Sequence, residues 1–383
     1  MKQEMISYLY TCTDALYELN TFLYNNPEDS YKEFKACNYI CEFLKKYNFK
    51  VEEKFLDLET SFYASIGDGY PKICFLCEYD AIPNEGHITG HNLLTATSIG
   101  AALALGKVID KIGGSVILIG CPGEYLGGTK SLMAKQGVFD DIDVVLEAHP
   151  DVSTYESGSS AAIIPLKIKF LGNSGLSFLN KGMYTSLDGM LLTFNILNSL
   201  LKGFPEGVEI SSILSQGGFT PLLLPLESEA KFYIRSTDYE LAMLAENKLR
   251  EIAIYVSKLI RVQYSFSLYE TPSEELVTNR NMHRLFTHNL KENGIIDIEC
   301  PKDINSGLSI GSVSKIVPCI HPGFSIVKDS CIKYGSQDFA SSTLSQFALE
   351  QGIKTSQALA FTGFDLITNE NLLREVKSEF FKK

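Results

Sequence analysis

Residues 73–110 read ICFLCEYDAIPNEGHITGHNLLTATSIGAALALGKVID and combine a strand, a polar loop and a helix. The run Ile73–Asp80 is short, mostly apolar and ends in Glu-Tyr-Asp, which is typical of a buried strand. The segment Asn92–Asp110 has small and apolar residues at helical periodicity, which predicts a buried helix. Continuous apolar strands that alternate with helices indicate a parallel sheet covered on both faces.

Two further apolar runs extend this pattern along the chain. They are Ser115–Cys121 and Val144–Ala148, and Gly128–Gln136 between them begins another predicted helix. The alternation predicts an α/β domain with a mainly parallel sheet. Because such sheets bind ligands in the loops that follow their strands, we expect the functional site in loops 78–92, 121–128 and 147–151.

The second half of the chain contains a different pattern. Its predicted elements, in order, are Pro165–Gly172, Thr185–Leu201, Val208–Gln216, Glu227–Ser236, Asp238–Lys258 and Arg261–Leu268. This β-α-β-β-α-β order is that of a ferredoxin-like α+β domain. We therefore predict a catalytic-type α/β domain at 1–163 and 274–383, with an inserted lid and dimerisation domain at 164–273.

Composition narrows the class of protein. The chain has 383 residues, 45% of them hydrophobic, which suffices for two domains. A formal net charge of −12 argues against nucleic acid or an anionic membrane as a partner. No run approaches the ~20 apolar residues of a membrane span. The nine cysteines lack zinc-ribbon spacing, so we expect reduced thiols and a cytoplasmic protein.

Histidines and a carboxylate cluster in the three loops after the predicted strands. They are His87 and His91 in the first loop, Glu124 in the second and His149 in the third. Such side chains, converging from strand ends, suit a zinc-activated water with a free carboxylate as general base.

The motifs EYDAIP (78–83), GHITGHN (86–92), CPGEYLGG (121–128) and EAHP (147–150) resemble a known family. It is the zinc metallopeptidase and aminoacylase family, in the branch of N-acyl-amino-acid amidohydrolases that includes aminobenzoyl-glutamate and dipeptide hydrolases. The similarity covers nearly the whole chain. It implies a catalytic domain that carries two metal ions and a smaller domain that forms a lid and a dimer interface.

The chain departs from this family at the metal ligands. The resemblance places Thr89, Tyr125 and Gly335 at three of the five usual ligand positions, and only His91 and His149 remain. Neutral hydroxyl groups are weak ligands, so we expect no dinuclear pair and at most one zinc ion. Glu124 is then either a third ligand or the general base.

The resemblance also implies roles for the other site residues. The expected catalytic residues are Glu124, Asp80 and His87, and the expected metal ligands are His91 and His149. The expected substrate-binding residues are Arg235, Tyr125, Thr89 and His321.

Three functions remain open at this point. The first is an amidohydrolase or peptidase-like enzyme that acts on a small amide or N-acyl-amino-acid ligand. The second is a metal-independent acyl-transfer, condensation or lyase enzyme in the same cleft, with Cys121 or Thr89 as nucleophile. The third is a catalytically inactive ligand-binding or partner protein. In each case we expect a homodimer that binds a small molecule.

Overall fold

The computed structural model describes residues 1–329 and 331–382. The helices are α1 (Lys2–Asn25), α2 (Phe34–Lys46), α3 (His91–Gly106), α4 (Ile109–Ile112), α5 (Lys130–Lys135), α6 (Ser186–Leu200), α7 (Tyr239–Ile260), α8 (Arg280–Glu292), α9 (Ile310–Val313), α10 (Gln337–Ser342), α11 (Gln346–Thr368) and α12 (Glu370–Phe380). The strands are β1 (Lys50–Glu53), β2 (Phe62–Gly67), β3 (Lys72–Cys77), β4 (Ser115–Gly120), β5 (Val144–Leu146), β6 (His149–Asp151), β7 (Tyr155–Leu171), β8 (Glu209–Gln216), β9 (Glu227–Ser236), β10 (Gln263–Leu268), β11 (Glu299–Gly307), β12 (Cys319–Ile320) and β13 (Gly323–Ser325).

The chain forms two compact units. The first consists of residues 1–159, 276–303 and 312–383, and the second of residues 160–275 and 304–311. The second unit therefore includes 304–311, which lies outside the predicted insertion, because β11 pairs with β7.

A six-stranded sheet forms the centre of the first unit, in the order β1-β2-β4-β3-β5-β12. Strands β4, β3, β5 and β12 are parallel to one another. At one edge, β2 is antiparallel to β4, and β1 is antiparallel to β2. The prediction of an α/β fold with a mainly parallel sheet is confirmed. The four parallel strands end at the same edge of the sheet, where their loops meet.

Helix α3 is the most enclosed element beside this sheet. All residues from His91 to Leu105 are buried, in agreement with the continuous run of small and apolar side chains. At Gly100, an added Cβ would lie 2.7 Å from the Ser356 Oγ of α11, so the two helices approach closely at this point. The helix is thus fixed on all sides and places His91 at its first turn.

The second unit has the predicted β-α-β-β-α-β order, formed by β7, α6, β8, β9, α7 and β10. Its antiparallel strands lie in the order β10-β7-β9-β8. Along β9, buried and half-buried residues alternate at every position, as a strand with one face on a core requires. Among the residues described, no helix is both long and apolar enough to cross a membrane.

Candidate metal centre and its surroundings

Four parallel strands of the first unit bring polar side chains to one edge of the sheet. Glu78 follows β3 and Glu124 lies in the loop after β4. Glu147 follows β5, and His321 follows β12. These side chains are distant in the sequence and adjacent in the fold because the carboxyl ends of neighbouring parallel strands coincide.

Three donor groups at this edge form a candidate metal site. One ligand atom each from Glu78, His91 and His149 lies within 4.8 Å of the other two, and all three residues are buried. The Nδ1 of His149 lies 2.9 Å from the carbonyl oxygen of Pro150. Since this contact occupies Nδ1, the Nε2 of His149 is the atom available as a ligand.

Asp80 holds the ring of His91. Its carboxylate lies 2.9 Å from His91 Nδ1 and also accepts hydrogen bonds from the Ser30 hydroxyl at 2.7 Å and the Tyr125 backbone N–H at 3.0 Å. The Nε2 of His91 then points towards Glu78, whose Oε2 is 3.0 Å away. A carboxylate behind a histidine is the usual arrangement that orients a metal-binding imidazole. Asp80, predicted to be catalytic, contacts the back of this histidine.

The protonation of the two histidines differs. Burial, followed by the neighbouring His321, lowers the pKa of His149 to about 4, so its ring is neutral and able to bind a metal. Burial also lowers the pKa of His91, but nearby Tyr125, Glu78 and Asp80 outweigh it and raise that pKa well above its usual value. The His91 ring would therefore have to lose a proton to bind a divalent ion.

Lys130 lies beside the donor groups and is almost completely buried, with 1% of its surface exposed. Its ammonium group contacts the carboxylate of Glu78 and lies 3.0 Å from Glu147 and 3.4 Å from Glu124. Burial raises the pKa of Glu78, yet Lys130 and His91 lower it well below its usual range. Glu78 is therefore an ionised carboxylate.

Thr89 and Tyr125, predicted to bind substrate, form a pair next to His91. Their hydroxyl groups are hydrogen-bonded to each other. The Tyr125 ring stacks on the His91 imidazole, with ring centroids 4.5 Å apart and planes inclined by 16°. Burial raises the pKa of the Tyr125 phenol, so it is a neutral hydroxyl beside the metal site.

The remaining predicted site residues are placed differently. His87 is buried, with Nε2 3.1 Å from the Leu23 carbonyl oxygen, and is not one of the three donors. His321 lies closer, with Nδ1 3.0 Å from Glu147 and its ring 5.5 Å from that of His149. Arg235 belongs to the second unit, where it donates to the Ser211 hydroxyl at 3.1 Å. Its role in binding a ligand carboxylate stays a prediction.

The sequence indicated Glu124 as the alternative third ligand, whereas the structure places Glu78 in the donor group. Glu78, Lys130 and Glu147 were not singled out from the sequence. The available signal was their position, because Glu78 and Glu147 directly follow apolar strands. A lysine at the start of a buried helix also requires carboxylate partners.

Cys121, a nucleophile in the metal-independent hypothesis, is completely buried at the end of β4. Burial, the largest effect, raises its pKa well above the usual value, and neighbouring carboxylates raise it further. The thiolate is the reactive form of cysteine, so this thiol is not activated.

Glu33 fixes the loop that carries Glu124. It is fully buried, and one of its oxygens accepts the backbone N–H groups of Tyr31 and Gly123, each at 2.8 Å. The other oxygen lies 2.8 Å from the Thr60 hydroxyl. The Thr60 hydroxyl donates in this arrangement. When the carboxyl is protonated, the hydroxyl can rotate and accept the carboxyl proton instead. Burial accordingly raises the pKa of Glu33 to about 7.

This shift predicts a pH dependence of stability. Between pH ~4.5 and pH ~7 the folded chain keeps a proton on Glu33 that the unfolded chain loses, so stability falls as pH rises. The change amounts to about 3 kcal/mol at most. Glu33→Gln, which preserves the hydrogen bonds, should therefore gain stability relative to wild type between pH 5 and pH 8 in denaturant titrations. Glu59→Gln, at an exposed position, is the control and should follow the wild-type slope.

The donor set fits a single divalent ion. Two imidazoles and one carboxylate form one of the known three-ligand sets of catalytic zinc. A carboxylate orients His91 and a carbonyl oxygen orients His149, as tight metal binding requires. The second-ion positions implied by the family resemblance carry the Thr89–Tyr125 hydroxyl pair, which offers no anionic ligand.

Comparisons with known proteins identify relatives along the whole chain. No family model matches the sequence. The chain is 28% identical to the Xaa-Arg dipeptidase of Mus musculus over an alignment of 410 residues including gaps. This alignment covers 99% of this chain and 92% of that protein. It is 29% identical to one of the subunits of the p-aminobenzoyl-glutamate hydrolase of Escherichia coli over 238 residues, which cover 56% of this chain and 50% of the relative.

Solved structures show the same fold. The aminobenzoyl-glutamate utilization protein from Klebsiella pneumoniae superposes with a TM-score of 0.72 at 12% identity, covering 92% of this chain and 97% of that one. A dinuclear metal binding peptidase of the M20 family from Bacillus subtilis superposes with a TM-score of 0.63 at 16% identity. The superposition covers 90% of this chain and 98% of the peptidase.

Proposed function

The chain belongs to the zinc metallopeptidase and aminoacylase family, in the branch of N-acyl-amino-acid amidohydrolases, and we propose that it hydrolyses a small amide with one metal ion. The substrate class is an N-acyl amino acid or a dipeptide, as the names of the relatives indicate. The observation that carries the proposal is the group of Glu78, His91 and His149, whose ligand atoms lie within 4.8 Å of one another.

The residues of the site have different roles in the proposed amide hydrolysis. Glu78, His91 and His149 would hold the metal, which supplies Lewis-acid activation of water and of the substrate carbonyl when bound. Asp80 keeps the His91 ring in one orientation. Glu124 is the carboxylate that takes the proton from the attacking water and returns it to the leaving amine.

The hydroxyl groups of Thr89 and Tyr125 provide the polar contacts for substrate. They lie beside His91, and because one hydroxyl donates to the other, the pair has at most one hydroxyl proton left to donate to a substrate oxygen. Preorganised donors of this kind stabilise negative charge that develops on a carbonyl oxygen. We assign them to the oxygen of the scissile amide, in agreement with their predicted role in substrate binding.

The test is turnover combined with metal analysis. Protein freed of metal with a chelator is reloaded with zinc and assayed on N-acyl amino acids, dipeptides ending in arginine and p-aminobenzoyl-glutamate. We expect amine release with about one zinc ion per chain. His149→Ala should lose both amine release and bound zinc. His288→Ala, at an exposed position, should keep wild-type activity and zinc content. No turnover on any substrate by the zinc-loaded protein would contradict the proposal and favour a binding role.

Substitution of a glycine next to Glu124 should affect activity beyond its effect on stability. Gly128 has φ +70°, and an added Cβ would lie 2.5 Å from the Glu124 carboxylate. Gly294, which follows helix α8, has φ +83° with nothing within 4 Å of its added Cβ. Alanine at either position should cost about 1–2 kcal/mol of stability through the left-handed backbone. Only Gly128→Ala should also displace Glu124 and lower kcat, as steady-state kinetics on equally folded samples would show. Equal kcat values for the two variants would contradict this.

We also propose that the chain forms a homodimer through the second unit. Strand β8 is at the edge of the sheet in that unit, and its Ile213 and Leu214 side chains are 61% and 45% exposed. An exposed apolar edge strand favours pairing with a second copy. Light scattering should give twice the chain mass, and Ile213→Lys should reduce it to the mass of one chain. An unchanged dimer in Ile213→Lys would place the interface elsewhere.

A further inference from the structure

Lys130 is enclosed by three carboxylates. Its ammonium group contacts Glu78 and lies 3.0 Å from Glu147 and 3.4 Å from Glu124, and its side chain is 1% exposed. The three carboxylates are at most 7% exposed. Buried carboxylates require a cation nearby, because removing their charge from water is costly. The chain supplies that cation itself.

Glu78 connects this ammonium group to the metal ligands. Its Oε1 contacts Lys130, and its Oε2 lies 3.0 Å from His91 Nε2. The Glu78 carboxylate therefore lies between two adjacent positions that a cation can occupy. The first is occupied by Lys130, and the second lies among the ligand atoms of Glu78, His91 and His149.

We propose that the ammonium group of Lys130 occupies a second cation position in this centre, next to the group of Glu78, His91 and His149. The inference rests on the proposed metal site and specifies its composition: Glu78, His91 and His149 would hold one divalent ion, and Lys130 supplies the neighbouring positive charge. The carboxylates of Glu124 and Glu147 complete the surroundings of the ammonium group. A second divalent ion is excluded because the fixed positive charge repels it and occupies the same carboxylates.

A purely structural ion pair leads to a different expectation. If Lys130 only joins loops, its removal lowers stability and leaves the number of bound ions unchanged. If its ammonium group holds a cation site, its removal opens that site. Lys130→Ala should then bind one more divalent ion than wild type, and the added ion should restore stability.

The experiment measures metal content and thermal stability together. Wild type, Lys130→Ala and Lys130→Arg are stripped with a chelator, loaded with zinc, dialysed and analysed by elemental analysis. We expect about one zinc ion per chain in wild type and in Lys130→Arg, and about two in Lys130→Ala. Zinc should raise the Tm of Lys130→Ala more than that of wild type. Lys45→Ala removes an exposed lysine that also contacts two carboxylates, Glu42 and Glu53, and should bind as wild type does.

The outcomes distinguish the two proposals. Two ions in wild type, or equal counts in wild type and Lys130→Ala, would overturn the role of Lys130. So would a Lys130→Ala variant that fails to fold even with zinc present. No ion in wild type but one in Lys130→Ala would refute single-metal hydrolysis and support Lys130 as the resident cation.

Discussion

Replacing Glu78 by glutamine should lower the free energy of unfolding by about 3–5 kcal/mol and abolish tight binding of a divalent ion. The carboxylate is buried between the Lys130 ammonium group and His91, so the neutral amide leaves positive charge without its partner. It also removes the only anionic donor of the group formed with His91 and His149.

Urea denaturation and zinc analysis measure the two effects of Glu78→Gln. The matched control is Glu42→Gln, because Glu42 also contacts a lysine, at 2.8 Å, but is 55% exposed. Pairs at the surface contribute little to stability, so this control should unfold with the wild-type midpoint and retain zinc. A Glu78→Gln variant as stable as wild type would show that the charges around Lys130 are balanced without it.

Replacing Glu124 by glutamine should lower kcat by about 10²–10⁴-fold while the metal content stays at the wild-type value. An amide of the same shape cannot accept a proton, whereas the geometry of the loop is preserved by the bonds of Glu33 to Gly123. KM should change little, because the carboxylate acts on water and on the leaving amine rather than on bound substrate.

Steady-state kinetics and elemental analysis on the same sample test the role of Glu124. Glu85→Gln, at an exposed position of the neighbouring loop, controls for the loss of a carboxylate near the site. Full activity in Glu124→Gln would place the general base elsewhere. Loss of metal together with activity would instead make Glu124 a ligand, the alternative that the sequence left open.

The helices and strands could be predicted from the sequence where the local periodicity of apolar residues is strong. Strand β9 has the predicted bounds, because buried and half-buried residues alternate along its whole length and Ala230, Phe232 and Ile234 fill the central buried positions. Apolar residues at helical spacing across 337–360 predict one helix, whereas the structure has two, α10 and α11. Ser345 begins the second of these, because its hydroxyl accepts the backbone N–H of Ala348. That capping signal was available from the sequence and was outweighed by the apolar periodicity around it.

The candidate site was only partly predictable. His91 and His149 could be found because histidines in loops that follow buried strands are typical of metal sites. Lys130 and Glu78 are 52 positions apart, and neither residue type indicates burial. Their pairing depends on strands β3 and β4 being neighbours in the sheet, which no local pattern specifies. Loop position alone therefore indicated where the site lies but not which charges are paired within it.

The burial of helix α3 on all sides determines how its amide protons exchange with deuterium. A helix enclosed over its whole length opens only when the first unit unfolds, so its amides report the global free energy rather than local fraying. Because α3 begins at His91, an ion held by that histidine stabilises the same global state. Exchange rates along α3 should therefore slow together on zinc loading and provide a measure of metal affinity that requires no substrate.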